Sequence, residues 1–201
     1  MARIAFTTFA SSSAPAVQRW KEREADLSAA IPQPDHVVRL AALVGRHRPA
    51  PVLRRPSPPT NQPLVRRLGD FGECTGWRII SGNHREIARG VGLFPDYKSA
   101  AEQALRIREN AQSLTLSFVR HHATGRLGWY ACFEDRPVLM APAWHPLARE
   151  CDQSAANALA ALSVATVADK AVRHGSRYMP GLIPSADEEA GGETDREAPA
   201  P

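Results

Sequence analysis

The chain has 201 residues, 25 of them basic and 21 acidic, so its formal charge is only +4. That length is enough for one ordinary domain or two small ones, and the charge density falls short of a dedicated nucleic-acid binder. Three cysteines, with no Cys-x-x-Cys spacing, argue against a disulfide-stapled secreted domain and predict a reducing, cytoplasmic setting.

Charge is unevenly placed: residues 1–63 carry nine basic and four acidic side chains, residues 64–174 fourteen and eleven, and residues 175–201 two and six. A basic front, a nearly balanced core and an acidic end follow. At the start, Met1 to Ala10 has a short apolar run broken by Thr7 and Thr8, a poor match to a signal peptide, and no later run approaches the roughly 18 apolar residues of a membrane span.

The spacing of Val17, Trp20, Leu27 and Ile31 predicts a helix over Pro15 to Ala30, with Lys21, Glu22, Arg23 and Glu24 facing out. Pro32 and Pro34 end it, and Asp35 caps a second short helix closed by Gly45. Residues 1–48 thus read as a small helical N-terminal region. Prolines dominate residues 49–63, which predicts an extended basic linker holding Arg54 and Arg55.

From residue 64 one pattern occurs twice. In the first copy, Leu64 to Leu68, Gly76 to Ser81 and Arg85 to Arg89 are expected strands, with Gly82-Asn83 as a two-residue hairpin turn. Asp96 caps a helix from Tyr97 to Ala111 whose alanines, Leu105 and Ile107 form one stripe. The second copy offers strands at Leu114 to His121, Gly128 to Glu134 and Val138 to Ala143, then a helix from Asp152 to Arg173, stopped by Gly175. The rest of the chain, rich in Glu, Asp, Gly, Ala and Pro, is expected to be a disordered acidic tail. The fold class expected is therefore α+β, with two tandem strand-strand-strand-helix repeats (64–111 and 114–174) and antiparallel sheets.

The run Trp77-Arg78-Ile79-Ile80-Ser81-Gly82-Asn83-His84-Arg85-Glu86-Ile87-Ala88, with Tyr97-Lys98-Ser99-Ala100-Ala101-Glu102 and Arg108-Glu109-Asn110-Ala111, resembles the YegP-like family of small bacterial domains, often paired in tandem. The second copy departs from it, with Asp135-Arg136-Pro137 in place of the Gly-Asn turn and Trp144-His145-Pro146 before its helix. The resemblance implies a fold and no catalytic residues.

Trp77 and Trp129, each just after a glycine, are expected to anchor sheet against helix. Trp144 has no counterpart in the first copy and is the better exposed contact. Arg78, Arg85 and Arg89 lie on one hairpin, where the sheet face left uncovered by the repeat's helix resembles a surface that enters a DNA groove. His84, His121, His122, His145, Cys132 and Cys151 have no recognised metal spacing. No nucleophile elbow or phosphate-binding glycine loop occurs, since Gly90-Val91-Gly92-Leu93 does not open a helix. The sequence therefore predicts no cofactor and no metal. It points to a non-enzymatic interaction module, with an unidentified protein partner or a second copy of itself and no membrane. Its alternative is nucleic-acid binding through the open sheet face and basic linker. The candidate binding residues are Arg78, Arg85, Arg89 and Trp144.

Overall fold

The computed structural model describes residues 1–33 and 72–175. The expected helix after Asp35, the Pro-rich linker, the strand at Leu64 to Leu68 and residues 176–201 of the acidic tail lie outside the described residues. In chain order the elements are β1 (Arg3–Phe9), α1 (Pro15–Ala29), β2 (Ile31–Pro32), β3 (Cys74–Ile80), β4 (Glu86–Gly90), α2 (Tyr97–Glu109), β5 (Thr115–Arg120), β6 (Leu127–Phe133), β7 (Arg136–Met140), α3 (Ala148–Val164) and β8 (Thr166–Arg173).

The protein is α+β. Its strands form one eight-stranded sheet, ordered β2-β5-β6-β7-β4-β3-β1-β8. The strands expected in the two copies join edge to edge in this one sheet, where β4 pairs with β7 antiparallel, Arg89 opposite Met140 and Gly90 opposite Leu139. Pairing buries what would otherwise be two unprotected edges. All pairs are antiparallel except β1 with β8, which run parallel.

Three expectations change. The start of the chain, expected within a small helical region, is a strand one place in from the β8 end of the sheet: Ile4 and Phe6 alternate with Ala5 and Thr7, and β1 pairs along its whole length with β3, from Arg3 opposite Ile80 to Phe9 opposite Cys74. The long last helix ends at Val164 and the chain continues as β8. The β-branched Val164, Thr166 and Val167 favour extended backbone there, and β1 supplies a partner. Finally, the β3–β4 connection is not a two-residue turn at Gly82-Asn83. It spans Ser81 to Arg85, closes with His84 N–H donating to Ser81 O at 2.9 Å, and takes its positive φ at His84. The β6–β7 turn is the two-residue one, with Glu134 and Asp135 both left-handed, the geometry that matches strand twist.

Helix α2 starts where Asp96 accepts from Ser99 N–H at 2.7 Å, an N-cap of the expected kind. Both α2 and α3 lie on one sheet face over Trp77, Ile79, Trp129 and Leu139, burying Ala100, Ala104, Ile107, Ala155, Ala158 and Leu162. The two indoles are fully buried and satisfied, Trp77 Nε1–H donating to Gln103 Oε1 at 2.6 Å and Trp129 Nε1–H to Ser154 Oγ at 3.0 Å. On the opposite face α1 packs Val17, Trp20 and Leu27 against Cys74, Val91, Leu93, Val119 and Met140. The sheet is thus covered on both sides, and the polar residues of α1 do not all face out: Arg23 and Glu24 are buried, while Ile31 is 52% exposed.

Candidate functional site

Three tryptophans sit on glycines that have no room for a side chain. A Cβ on Gly90 would lie 2.3 Å from Trp77 Cε2, one on Gly76 2.7 Å from Trp20 Cη2, and one on Gly128 2.6 Å from Trp144 Cζ3. The glycines of the two Gly-Trp pairs therefore serve the face opposite their own tryptophans: Trp77 and Trp129 turn toward α2 and α3, while Gly76 and Gly128 receive Trp20 and Trp144 on the α1 side.

Each of these α1-side rings carries a guanidinium. Arg89 stands 4.6 Å from the Trp20 ring centroid and Arg23 4.3 Å from that of Trp144, both within cation–π reach. Arg78 lies directly opposite Arg89 on the neighbouring strand. Glu86 joins them, 2.7 Å from Arg89 Nε and 3.5 Å from Arg78 Nη1, while Arg78 also donates to Thr7 Oγ1 at 2.9 Å. Of the three hairpin arginines, Arg78 and Arg89 are brought together and held by one carboxylate, and Arg85 stands apart and exposed in the turn.

Trp144 is half-buried. His121 meets it edge-on at 4.9 Å and stacks on His122, also at 4.9 Å, and His121 Nε2 lies 3.9 Å from Asp26 Oδ2 of α1. Arg23 reaches Ala141 O through Nε and Nη2, each at 3.4 Å, so two donors share one acceptor. Burial first, then the nearby Arg89 charge, brings the Arg23 guanidinium down to about 10. His145 is pushed below its ordinary value by burial, with Arg23 adding to this and Glu150 opposing it.

The residue that the sequence reading placed in solvent is the most perturbed carboxyl. Glu24 is 3% exposed, and its Oε1 accepts from Gly92 N–H at 2.6 Å. Burial pushes it up to about 7, against the opposing Gly92 N–H, Trp20 indole, Arg89 and Lys21. The Trp20 indole N–H lies toward this carboxyl but outside hydrogen-bond geometry. Beside Glu24 is a shallow apolar recess lined by Leu27, Val91, Tyr130, Pro137 and Met140. A helical wheel does place Trp20, Glu24 and Leu27 on one face, and that was the available signal; polarity outweighed it.

The thiols are not activated. Burial raises Cys132 and Cys151 to about 12 and moves Cys74 upward. Among the described residues no three His, Cys, Asp or Glu side chains gather closely enough to hold a metal ion, and no helix is long and apolar enough to cross a membrane. No family model, curated protein or solved structure matches the chain.

Proposed function

We propose that this protein is a non-enzymatic interaction module of YegP-like type, acting in the cytoplasm and engaging a protein partner along the outer edge of its sheet. The observation that supports this reading is β8. Among the described residues it is the terminal strand of the sheet, paired there on one side, and five of its eight residues are exposed. Val172 on this strand is 38% exposed and Val164, just before it, 72%. An edge of this kind offers backbone donors and acceptors to an extended segment of a partner, with side-chain contacts setting the choice. The register breaks between Val167 and Ala171, where Asp169 and Lys170 are exposed, so indiscriminate edge pairing is discouraged and a partner has to match those charges.

The test is capture from the native host with the full chain and with a Val164→Glu, Val172→Glu double variant whose circular dichroism is unchanged. The reading expects the same prey to be retained by the wild type and lost by the variant. Equal capture by both would refute it, as would turnover of a substrate by purified protein that a single point variant abolishes.

A further inference from the structure

Helix α1 is fastened to the sheet mainly by apolar contacts from Val17, Trp20 and Leu27, and it has no side-chain cap at its N-terminus. Its two buried polar links run to backbone: Arg23 to Ala141 O, and Glu24 to Gly92 N–H. The Glu24 link is the tighter at 2.6 Å. Its carboxyl is nearly inaccessible and borders an apolar recess, where an ionised carboxylate loses most of its hydration.

We propose that α1 is a pH-operated clasp: a protonated Glu24 fastens the helix to the sheet, and ionisation of Glu24 on opening loosens it and uncovers the face that carries Arg89, Tyr130 and Met140.

The charged and titratable groups around Glu24 are few. On its own helix Lys21 and Arg23 precede it, and Arg89 faces it from β4 with Glu86 bound behind. From β6 comes Tyr130, whose phenol burial pushes up, so it stays neutral here. The β7 residues at the recess, Pro137 and Met140, do not titrate. Elsewhere on α1, Asp26 faces His121, and Arg23 faces His145, which burial keeps neutral to lower pH. The cations near Glu24 oppose its upward shift without cancelling it, because burial is the larger effect.

The sign follows from linkage. Fastened, Glu24 holds its proton up to about 7; in the open, solvated state it releases it at its ordinary value of 4.5. Opening is therefore least favourable below the open-state value, becomes about tenfold easier per pH unit between the two values, and levels off above the upper one.

Hydrogen exchange of the α1 backbone amides in the full chain, corrected for intrinsic rates, reads this directly. Between pH 5.0 and 7.5 the wild type is expected to lose about 60-fold in α1 protection relative to β6 amides. In Glu24→Gln, which keeps an acceptor for Gly92 N–H, the loss is expected to shrink to tenfold or less. His121→Gln should retain the large loss. Wild-type α1 protection that changes less than threefold relative to β6 would overturn the proposal, and so would a Glu24→Gln variant with the wild-type slope.

Discussion

Replacing Gly90 with alanine tests the packing logic of the sheet in one atom. The new Cβ would lie 2.3 Å from Trp77 Cε2, 2.4 Å from Nε1 and 2.7 Å from Cδ2, whereas an ordinary contact begins near 3.4 Å. The ring has to shift by about an ångström in a fully buried site, and overpacking of this kind costs roughly 1–3 kcal/mol. That shift also breaks the 2.6 Å bond from Trp77 Nε1–H to Gln103, leaving a buried donor unpaired at about 1–3 kcal/mol more. A loss of about 2–6 kcal/mol is thus expected, a large share of the roughly 5–15 kcal/mol by which domains are stable. Equilibrium guanidinium denaturation followed by far-UV circular dichroism measures it. Pairing Gly90→Ala with Trp77→Leu should recover at least about 1 kcal/mol relative to the sum of the single effects, because the smaller side chain makes room for the methyl group. A Gly90→Ala variant within about 0.5 kcal/mol of wild type, or strict additivity in the double variant, would refute the reasoning.

Gln103→Leu keeps the bulk near Trp77 but strands its indole N–H, and should cost about 1–3 kcal/mol in the same denaturation assay, while Arg106→Ala, which removes an exposed ion pair with Glu134 and a contact over the Phe133 ring, should change stability by less than about 1 kcal/mol. Cys74 and Cys151 are buried and all three thiols are raised, so native protein at neutral pH should label slowly with a thiol reagent and take up three equivalents on denaturation, read by mass spectrometry. Nucleic-acid binding through the arginine hairpin, the sequence's second reading, requires a mobility shift at low salt that Arg78→Ala with Arg85→Ala removes; with Arg78 tied to Glu86 and Thr7, no shift of that kind is expected.

Elements whose periodicity and stop signals agree were legible from the sequence. The helix at Tyr97 has an N-cap at Asp96 and an alanine stripe, and it forms within two residues of its expected bounds. Strands β3 to β7 lie close to their expected places for the same reason, since turn residues bracket each apolar run. The strand at Arg3–Phe9 was missed although Ile4 and Phe6 alternate with smaller residues, because its pairing partners β3 and β8 lie far along the chain and local pattern carries no trace of them. Apolar spacing through Val164, Val167 and Val172 fits a helix as well as a strand, and only the edge of β1 decides between them. The α1 cluster was the least legible part. Polar residues at Arg23 and Glu24 read as solvated, and their burial follows from a second covered face that neither repeat copy announces by itself. Trp144, expected as an exposed contact, is half-buried against Gly128, and its partners Arg23 and His121 come from other elements.

The placement of β1 also bears on how the chain reaches this structure. It precedes every other described strand along the chain, and one of its two neighbours, β8, is the last of them to emerge from the ribosome. Contacts between Arg3 and Thr166 and between Thr8 and Arg173 close loops that span most of the protein, and closing such loops slows folding. Until β8 arrives, β1 can pair only with β3 and keeps an unpaired edge. Shortening the chain before Thr166 should therefore leave nascent protein prone to self-association, and a circular permutant that makes β8 before β1 should fold faster than the natural order of synthesis.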